Sequence, residues 1–169
     1  GYSAKNISDI LVASMQTPVK VVINSTRTTE QIAASISSQL MLDSATIASK
    51  LNDMDYLKSK GFDKDNVFYL IIPNTYEFYW NVSIDGFIER IIKERDAFWN
   101  ESRKEKAAKI GLSPEEVMTL ASIIEEETAK NDELPIVAGL YINRLKRGML
   151  LQADPTVIYA LGGERPKRV

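Results

Sequence analysis

Hydrophobic and polar positions follow two different periods along the chain. Apolar residues spaced three to four apart predict amphipathic helices. These helices are predicted over residues 4–16, 28–40, 43–51, 83–110 (one or two helices), 113–130, 135–148 and 154–161. β-Branched, alternating residues predict a strand over 19–24, and the apolar run 67–72 before Pro73 predicts a second strand or extended segment.

The start of the helix over residues 113–130 is the strongest local signal. Ser113 and Glu116 form a capping box sequence, with Pro114 in the first helical turn. Asp154 before Pro155 similarly predicts a cap for the last helix. Together the elements predict an α+β fold that is mainly helical, with residues 1–27 as a separate small α/β unit.

Composition narrows the chemistry available to the chain. Of its 169 residues, 44% are hydrophobic and 26% charged, as in soluble globular proteins, and the net charge of −2 argues against nucleic-acid binding. No apolar run approaches the roughly 20 residues of a membrane helix. The absence of Cys and His excludes thiol nucleophiles and His triads, so we expect no metal or cofactor and look first to carboxylates.

Three consecutive glutamates, at positions 125–127, lie near the C-terminus of the helix predicted over residues 113–130. Three carboxylates at the negative end of a helix dipole are unfavourable, typically by a few tenths of a kcal/mol each. The predicted buried face consists of Val117, Leu120, Ala121 and Ile124. At about 100° per residue, Glu126 points away from this face and Glu125 lies near its edge. Glu127 falls on the opposite edge, where partial burial would favour the protonated form of a general acid. An alternative is a structural ion pair of Glu127 with Arg144 or Arg147.

Two further clusters carry groups suited to sugar binding. Amide, carboxyl, hydroxyl and aromatic groups of this kind line sugar subsites. They belong to Asn143, Gln152, Asp154, Thr156 and Tyr159. Asn143 could instead be solvated and Asp154 only a cap. The aromatic segment 73–80, which includes Tyr76, is either a turn packed on the core or a wall of a glycan groove.

Four sequence blocks resemble those of the MltG-type (YceG-like) endolytic murein transglycosylases. Residues 121–128, Ala-Ser-Ile-Ile-Glu-Glu-Glu-Thr, resemble that family's Ala-Ser-Ile-(Val/Ile)-Glu-x-Glu-Thr stretch. Residues 137–144 look like its Val-Ala-x-x-(Phe/Tyr)-x-Asn-Arg helix, and residues 73–76 like its Pro-Asp-Thr-Tyr element. Residues 148–159, Gly-Met-Leu-Leu-Gln-Ala-Asp-Pro-Thr-Val-Ile-Tyr, are similar to its most recognisable block. The blocks follow the family order.

The resemblance implies a lytic transglycosylase in which Glu127, immediately before the Thr, is the acid/base catalyst. Glu127 would protonate the glycosidic oxygen between N-acetylmuramic acid and N-acetylglucosamine, then take the proton of the muramic acid C6 hydroxyl to give a 1,6-anhydro end. Neither metal nor cofactor is implied. The substrate-binding residues implied are Asn143, Gln152, Asp154, Thr156, Tyr159 and Tyr76.

The resemblance also implies an architecture and a setting. It predicts a lysozyme-like catalytic part over residues 28–169, preceded by the end of a LysM-like segment over residues 1–27. An N-terminal anchor outside this chain would hold the protein on the outer, periplasmic face of the bacterial cytoplasmic membrane. Its partners would be peptidoglycan glycan strands and peptidoglycan synthases.

Some features depart from the family pattern. Asn74 replaces the family Asp, and Ala153 stands where Ser or Thr is common. The family continues past the position of Val169 with a Tyr-Asn segment that helps complete the groove, so we expect this fragment to be inactive. Two alternatives are a hydrolase, with Glu125 or Asp154 directing water, and a non-catalytic peptidoglycan-binding scaffold.

Overall fold

The computed structural model describes residues 3–12, 16–26, 28–62 and 66–161. The chain divides into two compact units, Gly1–Lys93 and Glu94–Val169. The division does not coincide with the boundary expected after residue 27. β-Strand pairing joins residues on both sides of that boundary, as the register of the sheet shows.

The first unit combines short helices with a two-stranded sheet. Thr28, Asp43 and Asp53 cap successive helices, each accepting a hydrogen bond from a backbone N–H in the first turn. In chain order the elements are α1 (Ala4–Val12), β1 (Val19–Ile23), α2 (Thr29–Ser37), α3 (Ser44–Asn52), α4 (Met54–Ser59), a 3₁₀ turn (Val67–Leu70), β2 (Asn74–Phe78) and α5 (Ile84–Phe98).

The sheet is antiparallel, with Val21 opposite Tyr76 at its centre. Val21, Ile23, Tyr76 and Phe78 face the core while the residues between them are exposed. The side-chain amide of Gln39, just after α2, lies against β1. It accepts from the Val22 N–H at 2.8 Å and donates to the Val22 carbonyl at 2.9 Å. The backbone N–H and C=O of Val22 point away from β2, so Gln39 supplies the hydrogen-bond partners that β2 does not.

The core of the first unit brings the sheet, α2, α3 and the first part of α5 together. α2 contributes Ile32 and Ile36, as its predicted apolar face required, and α3 contributes Ile47 and Leu51. Phe78 and Phe87 meet with ring centroids 4.9 Å apart. This mixed core makes residues 19–23 part of the same compact unit as residues 74–78.

Helices are the regular secondary structure among the described residues of the second unit. After the end of α5 it contains α6 (Glu101–Ile110), α7 (Pro114–Glu127), α8 (Leu134–Lys146) and α9 (Asp154–Ala160). Gly111, with φ +79°, ends α6 in the left-handed conformation. Ser113 and Glu116 form the predicted capping box at the start of α7. Leu120, Ile124, Tyr141 and Ala153 form the small core of this unit.

Several sequence predictions of individual elements were wrong. Residues 67–72 contain a 3₁₀ turn, and the second strand is Asn74–Phe78. Unbroken apolar runs carry no period to identify a strand, whereas exposed and buried positions alternate from residue 74 to 78. The helix α4 was missed. The described part of the first helix is Ala4–Val12, and residues 13–15 of the predicted helix lie outside the described ranges. Among the described residues, no helix has both the length and the apolar character needed to span a membrane.

Candidate active site

Glu127 is the last residue of α7 and its side chain is exposed. The partial burial predicted for it is therefore not observed, because the helix stops there and no further turn covers the carboxylate. Thr128 follows in extended conformation as the C-cap. The predicted apolar face is correct for Leu120 and Ile124, which are buried, and wrong for Ala121, which is exposed.

Tyr141 on α8 is a polar neighbour of Glu127, whose charge acts on its hydroxyl. Its ring is 3% exposed and packs with Leu120 and Ile124 of α7. Burial raises the pKa of the Tyr141 hydroxyl, the charge of Glu127 and a hydrogen bond to it raise this pKa further, and Arg144 opposes the change. The hydroxyl therefore stays protonated and available as a donor to the Glu127 carboxylate.

Asp154 completes the group of charges around this hydroxyl. Its carboxylate also raises the pKa of Tyr141, although less than Glu127 does. Tyr141 thus has Glu127, Arg144 and Asp154 as its charged surroundings. The sequence did not single out Tyr141. A tyrosine within an apolar helical stripe was the available signal, because a buried tyrosine usually needs a partner for its hydroxyl.

Arg144 does not take the role of ion-pair partner suggested for it. Its Nη1 donates to the Leu151 carbonyl at 2.8 Å, and its Nη2 donates to Oε1 of Gln152 at 2.6 Å. Arg147, the other suggested partner, is the exposed C-cap of α8. Arg144 therefore binds the segment that follows α8 rather than the catalytic candidate.

Thr128 and Glu133 organise the connection from α7 to α8. The Thr128 hydroxyl donates to Oε2 of Glu133 at 2.7 Å, and Lys130 Nζ lies 2.8 Å from Oε1. Lys130 and Thr128, in that order, hold the pKa of Glu133 below its usual value. The Thr128 hydroxyl is thus committed to Glu133 rather than to the adjacent Glu127.

The predicted cap of the last helix was wrong. Ala153, 1% exposed and extended, occupies the N-cap position of α9, and Asp154 is already helical. The N-cap position is buried in the core, where the small side chain of Ala153 fits and a charged capping residue such as Asp would be unfavourable. The Asp154 carboxylate remains exposed in the first turn of α9, where the helix dipole favours a negative charge.

The other predicted substrate-binding residues lie in different surroundings. Asn143 is exposed on α8, and Tyr159 on α9 is 61% exposed. The Thr156 hydroxyl donates to the Ala153 carbonyl at 2.7 Å, and Gln152 is held by Arg144. Tyr76 is different, because it belongs to the core of the first unit and its hydroxyl donates to the Ile72 carbonyl. We therefore assign Tyr76 a structural role.

The aromatic segment 73–80 was predicted to be either a turn packed on the core or a wall of a glycan groove. Its residues differ in burial, so neither alternative applies to all of them. Tyr76 and Phe78 are core residues, whereas Tyr79 and Trp80 are each about half exposed. The alternation of β2 accounts for the first pair, and the turn that follows the strand accounts for the second. Within the described parts of the chain, no cluster of acidic residues could hold a metal ion.

Comparison with known proteins identifies relatives of the whole chain. The YceG-like family matches residues 1–169. The chain is 30% identical over 152 residues to the endolytic murein transglycosylase of Bacillus subtilis (strain 168), over 81% of this chain and 42% of that protein. It is 30% identical over 95 residues to the endolytic murein transglycosylase of Streptococcus pneumoniae (strain ATCC BAA-255 / R6), over 54% of this chain and 16% of that protein.

A solved structure agrees with the sequence matches. The 2.6 Å crystal structure of a YceG-like protein from Listeria monocytogenes aligns with a TM-score of 0.74 and 27% identity, over 100% of this chain and 61% of that chain. The chain spans less than half the length of the curated relatives it matches. Because the family match extends over every residue, the chain belongs to the YceG-like family.

Proposed function

We propose that this chain carries the catalytic glutamate of an endolytic lytic transglycosylase acting on nascent peptidoglycan. The observation that carries the proposal is the exposed Glu127 carboxylate beside the buried Tyr141 hydroxyl. Support comes from relatives whose names are endolytic murein transglycosylase. The chain contains neither His nor Cys, so a reaction catalysed by a carboxylate suits its composition.

The proposed reaction needs one carboxylate for two proton transfers. Protonated Glu127 donates to the glycosidic oxygen between N-acetylmuramic acid and N-acetylglucosamine as the C1–O bond breaks. The C6 hydroxyl oxygen of the muramic acid then bonds to C1, and its proton returns to Glu127. The products are a 1,6-anhydro end and a free 4-hydroxyl, with no water consumed.

The surroundings of Glu127 suggest how the side chain is directed. In this proposal the Tyr141 hydroxyl directs the Glu127 carboxylate by donating a hydrogen bond to it, and the buried Tyr141 ring allows little movement. Exposed Asn143, Asp154 and Tyr159 offer amide, carboxylate and aromatic groups for the sugars. Thr156 and Gln152 make intramolecular hydrogen bonds, so their contribution to binding would be through the remaining atoms.

The wider setting is proposed on the family resemblance. The protein would be held by one anchor at the outer face of the cytoplasmic membrane, close to peptidoglycan synthases, and would cut strands as they are made. The LysM-like character of residues 1–27 remains a prediction.

The experiment uses the complete native polypeptide and uncrosslinked glycan strands, with products identified by mass spectrometry. The variants are Glu127→Gln and, as a matched control, Glu126→Gln on the adjacent exposed carboxylate. We expect anhydro-ended fragments from the native protein and Glu126→Gln. Loss of acid/base catalysis in Glu127→Gln should reduce the rate by about 10²–10⁴-fold.

Other outcomes would replace the proposal. Reducing-ended products, heavier by one water, would mean a hydrolase, for which Asp154 near Tyr141 is the available second carboxylate. Equal rates for Glu127→Gln and the native protein would remove Glu127 as the catalyst. Glycan binding without cleavage by any of the three proteins would mean a binding module.

A further inference from the structure

Arg144 connects the end of α8 to the segment before α9 through both its backbone and its side chain. The Arg144 carbonyl accepts from the Met149 N–H at 2.9 Å, while the Leu145 carbonyl accepts from the Gly148 N–H at 3.0 Å. These two bonds, with φ +66° at Gly148, form a Schellman motif that reverses the chain. The reversal returns residues 151 and 152 to the Arg144 side chain.

The guanidinium of Arg144 then holds the returning segment at two points. Nη1 donates to the Leu151 carbonyl and Nη2 to Oε1 of Gln152. A planar guanidinium presents these two donors in a fixed fork, which a lysine ammonium cannot reproduce. The two contacts therefore fix the direction of the segment as well as its distance from α8.

Gln152 has a backbone conformation that requires such support. Its φ of +53° is the only positive φ of a non-glycine residue within the described ranges. The left-handed region is unfavourable for residues with a Cβ and persists where surrounding contacts impose it. The Arg144 guanidinium binds this residue's side chain and the carbonyl immediately before it.

The segment that follows Gln152 lies against the candidate catalytic group. Ala153 is buried with Leu120, Ile124 and Tyr141, and Asp154 is among the charges that surround the Tyr141 hydroxyl. A change in the backbone at Gln152 would therefore move Ala153 and Asp154 relative to Tyr141. Through Tyr141, it would alter the position of the Glu127 carboxylate.

We propose that Arg144 is a positioning residue, which holds Gln152 in its left-handed conformation and thereby fixes Ala153 and Asp154 beside Tyr141 and Glu127. This inference rests on the proposed function, because the consequence for catalysis requires Glu127 to be the catalyst. The support of Gln152 by Arg144 is independent of that function. It can therefore be measured without any substrate.

The test compares Arg144→Lys with Arg147→Lys in the complete native polypeptide. Both variants keep the positive charge and lie near the end of the same helix, but only Arg144 binds Leu151 and Gln152. Amide hydrogen exchange of residues 149–156 reads the local support, because exchange reports local opening. We expect faster exchange in Arg144→Lys and native exchange in Arg147→Lys.

Turnover on glycan strands reads the catalytic consequence. In Arg144→Lys we expect kcat to fall by about 10- to 100-fold with a smaller change in KM, since a displacement of about 1 Å can cost 10²-fold. The effects of Gln152→Gly and Arg144→Lys on kcat should not be independent, because glycine adopts a positive φ without support. The loss in the double variant should be smaller than the product of the two single losses.

Each part can fail separately. Native exchange in Arg144→Lys would overturn the support of the segment, and native kcat would overturn its catalytic consequence. Single losses that simply multiply in the double variant would show that Arg144 and Gln152 act independently. Absence of cleavage by the native protein would overturn the proposed function and the positioning role with it, whereas faster exchange in Arg144→Lys would still establish the support of Gln152.

Discussion

Burial and the neighbouring Glu127 carboxylate raise the pKa of the Tyr141 hydroxyl, so an exposed carboxylate at the end of α7 lies beside a buried side chain of α8. The arrangement depends on the packing of α7 against α8 through Leu120 and Ile124. Core packing in the second unit and the orientation of the candidate catalyst are therefore linked. A change to the hydroxyl alone should separate the two.

Tyr141→Phe should retain the fold and slow the reaction. The ring stays in the core, while the carboxylate loses a hydrogen-bond donor. Hydrogen bonds to charged groups contribute about 1.5–3 kcal/mol, so kcat should fall by roughly 10- to 100-fold. Turnover on glycan strands measures this loss, with Tyr56→Phe on α4 of the first unit as the control. A native kcat in Tyr141→Phe would show that the hydroxyl does not direct Glu127.

Ser113→Ala should destabilise the helix that carries Glu127. It removes the Ser113 side chain that accepts from the Glu116 N–H, half of the capping box. Loss of such a cap costs about 1 kcal/mol. Urea unfolding would measure it, with Ser122→Ala as the control, because Ser122 is exposed within the same helix and donates only to the Thr119 carbonyl. Equal stability of the two variants would contradict a role for the cap.

Tyr56 should ionise at unusually high pH. Burial, followed by the negative charges of Asp85 and Glu89, raises its pKa to about 12, from an ordinary value of about 10. Because the unfolded chain loses this proton first, stability should decline as the pH rises from about 10 to about 12.

Tyrosinate absorbance provides the measurement for Tyr56. The native protein should show one tyrosinate transition that the Tyr56→Phe variant lacks. The midpoint of this transition should lie near the raised pKa of Tyr56. Asp85→Asn should lower the midpoint only in part, since burial is the larger cause. If the transition that Tyr56→Phe removes has its midpoint at the ordinary tyrosine pKa, the Tyr56 hydroxyl is solvated.

Ile47→Ala should strongly destabilise the first unit. Ile47 is wholly buried between the helices and the sheet, and truncation of such a residue costs about 2–5 kcal/mol. Met41→Ala is the control, because Met41 is 71% exposed. Calorimetry of the two variants measures the difference. Similar melting temperatures would mean that residues around Ile47 fill the space left by the side chain.

Local signals in the sequence were sufficient where one residue determines one element. Thr28, Asp43 and Ser113 begin helices because each side chain caps its own first turn. The apolar run 67–72 misled because its residues are favourable in any buried conformation. α4 was missed because it is only six residues long and only Leu57 of it is buried.

The residues of the candidate site also differ in whether the sequence alone could indicate them. Glu127 could be selected from the sequence, although its role is still a prediction. The parts played by Tyr141 and Arg144 depend on where α8 lies against α7 and on how the chain returns after Gly148. Those contacts join residues that are distant along the chain, and helical periodicity carries no information about them.

The amide of Gln39 has a consequence for self-association. The exposed edge of a two-stranded sheet is a template on which another chain can add a strand. On β1, the residues whose backbone groups face this edge are Lys20 and Val22, and Gln39 occupies both groups of Val22. The charged Lys20 side chain discourages pairing at the remaining position. A single glutamine thus occupies the Val22 backbone groups at the outer edge of β1, which disfavours the addition of another strand there.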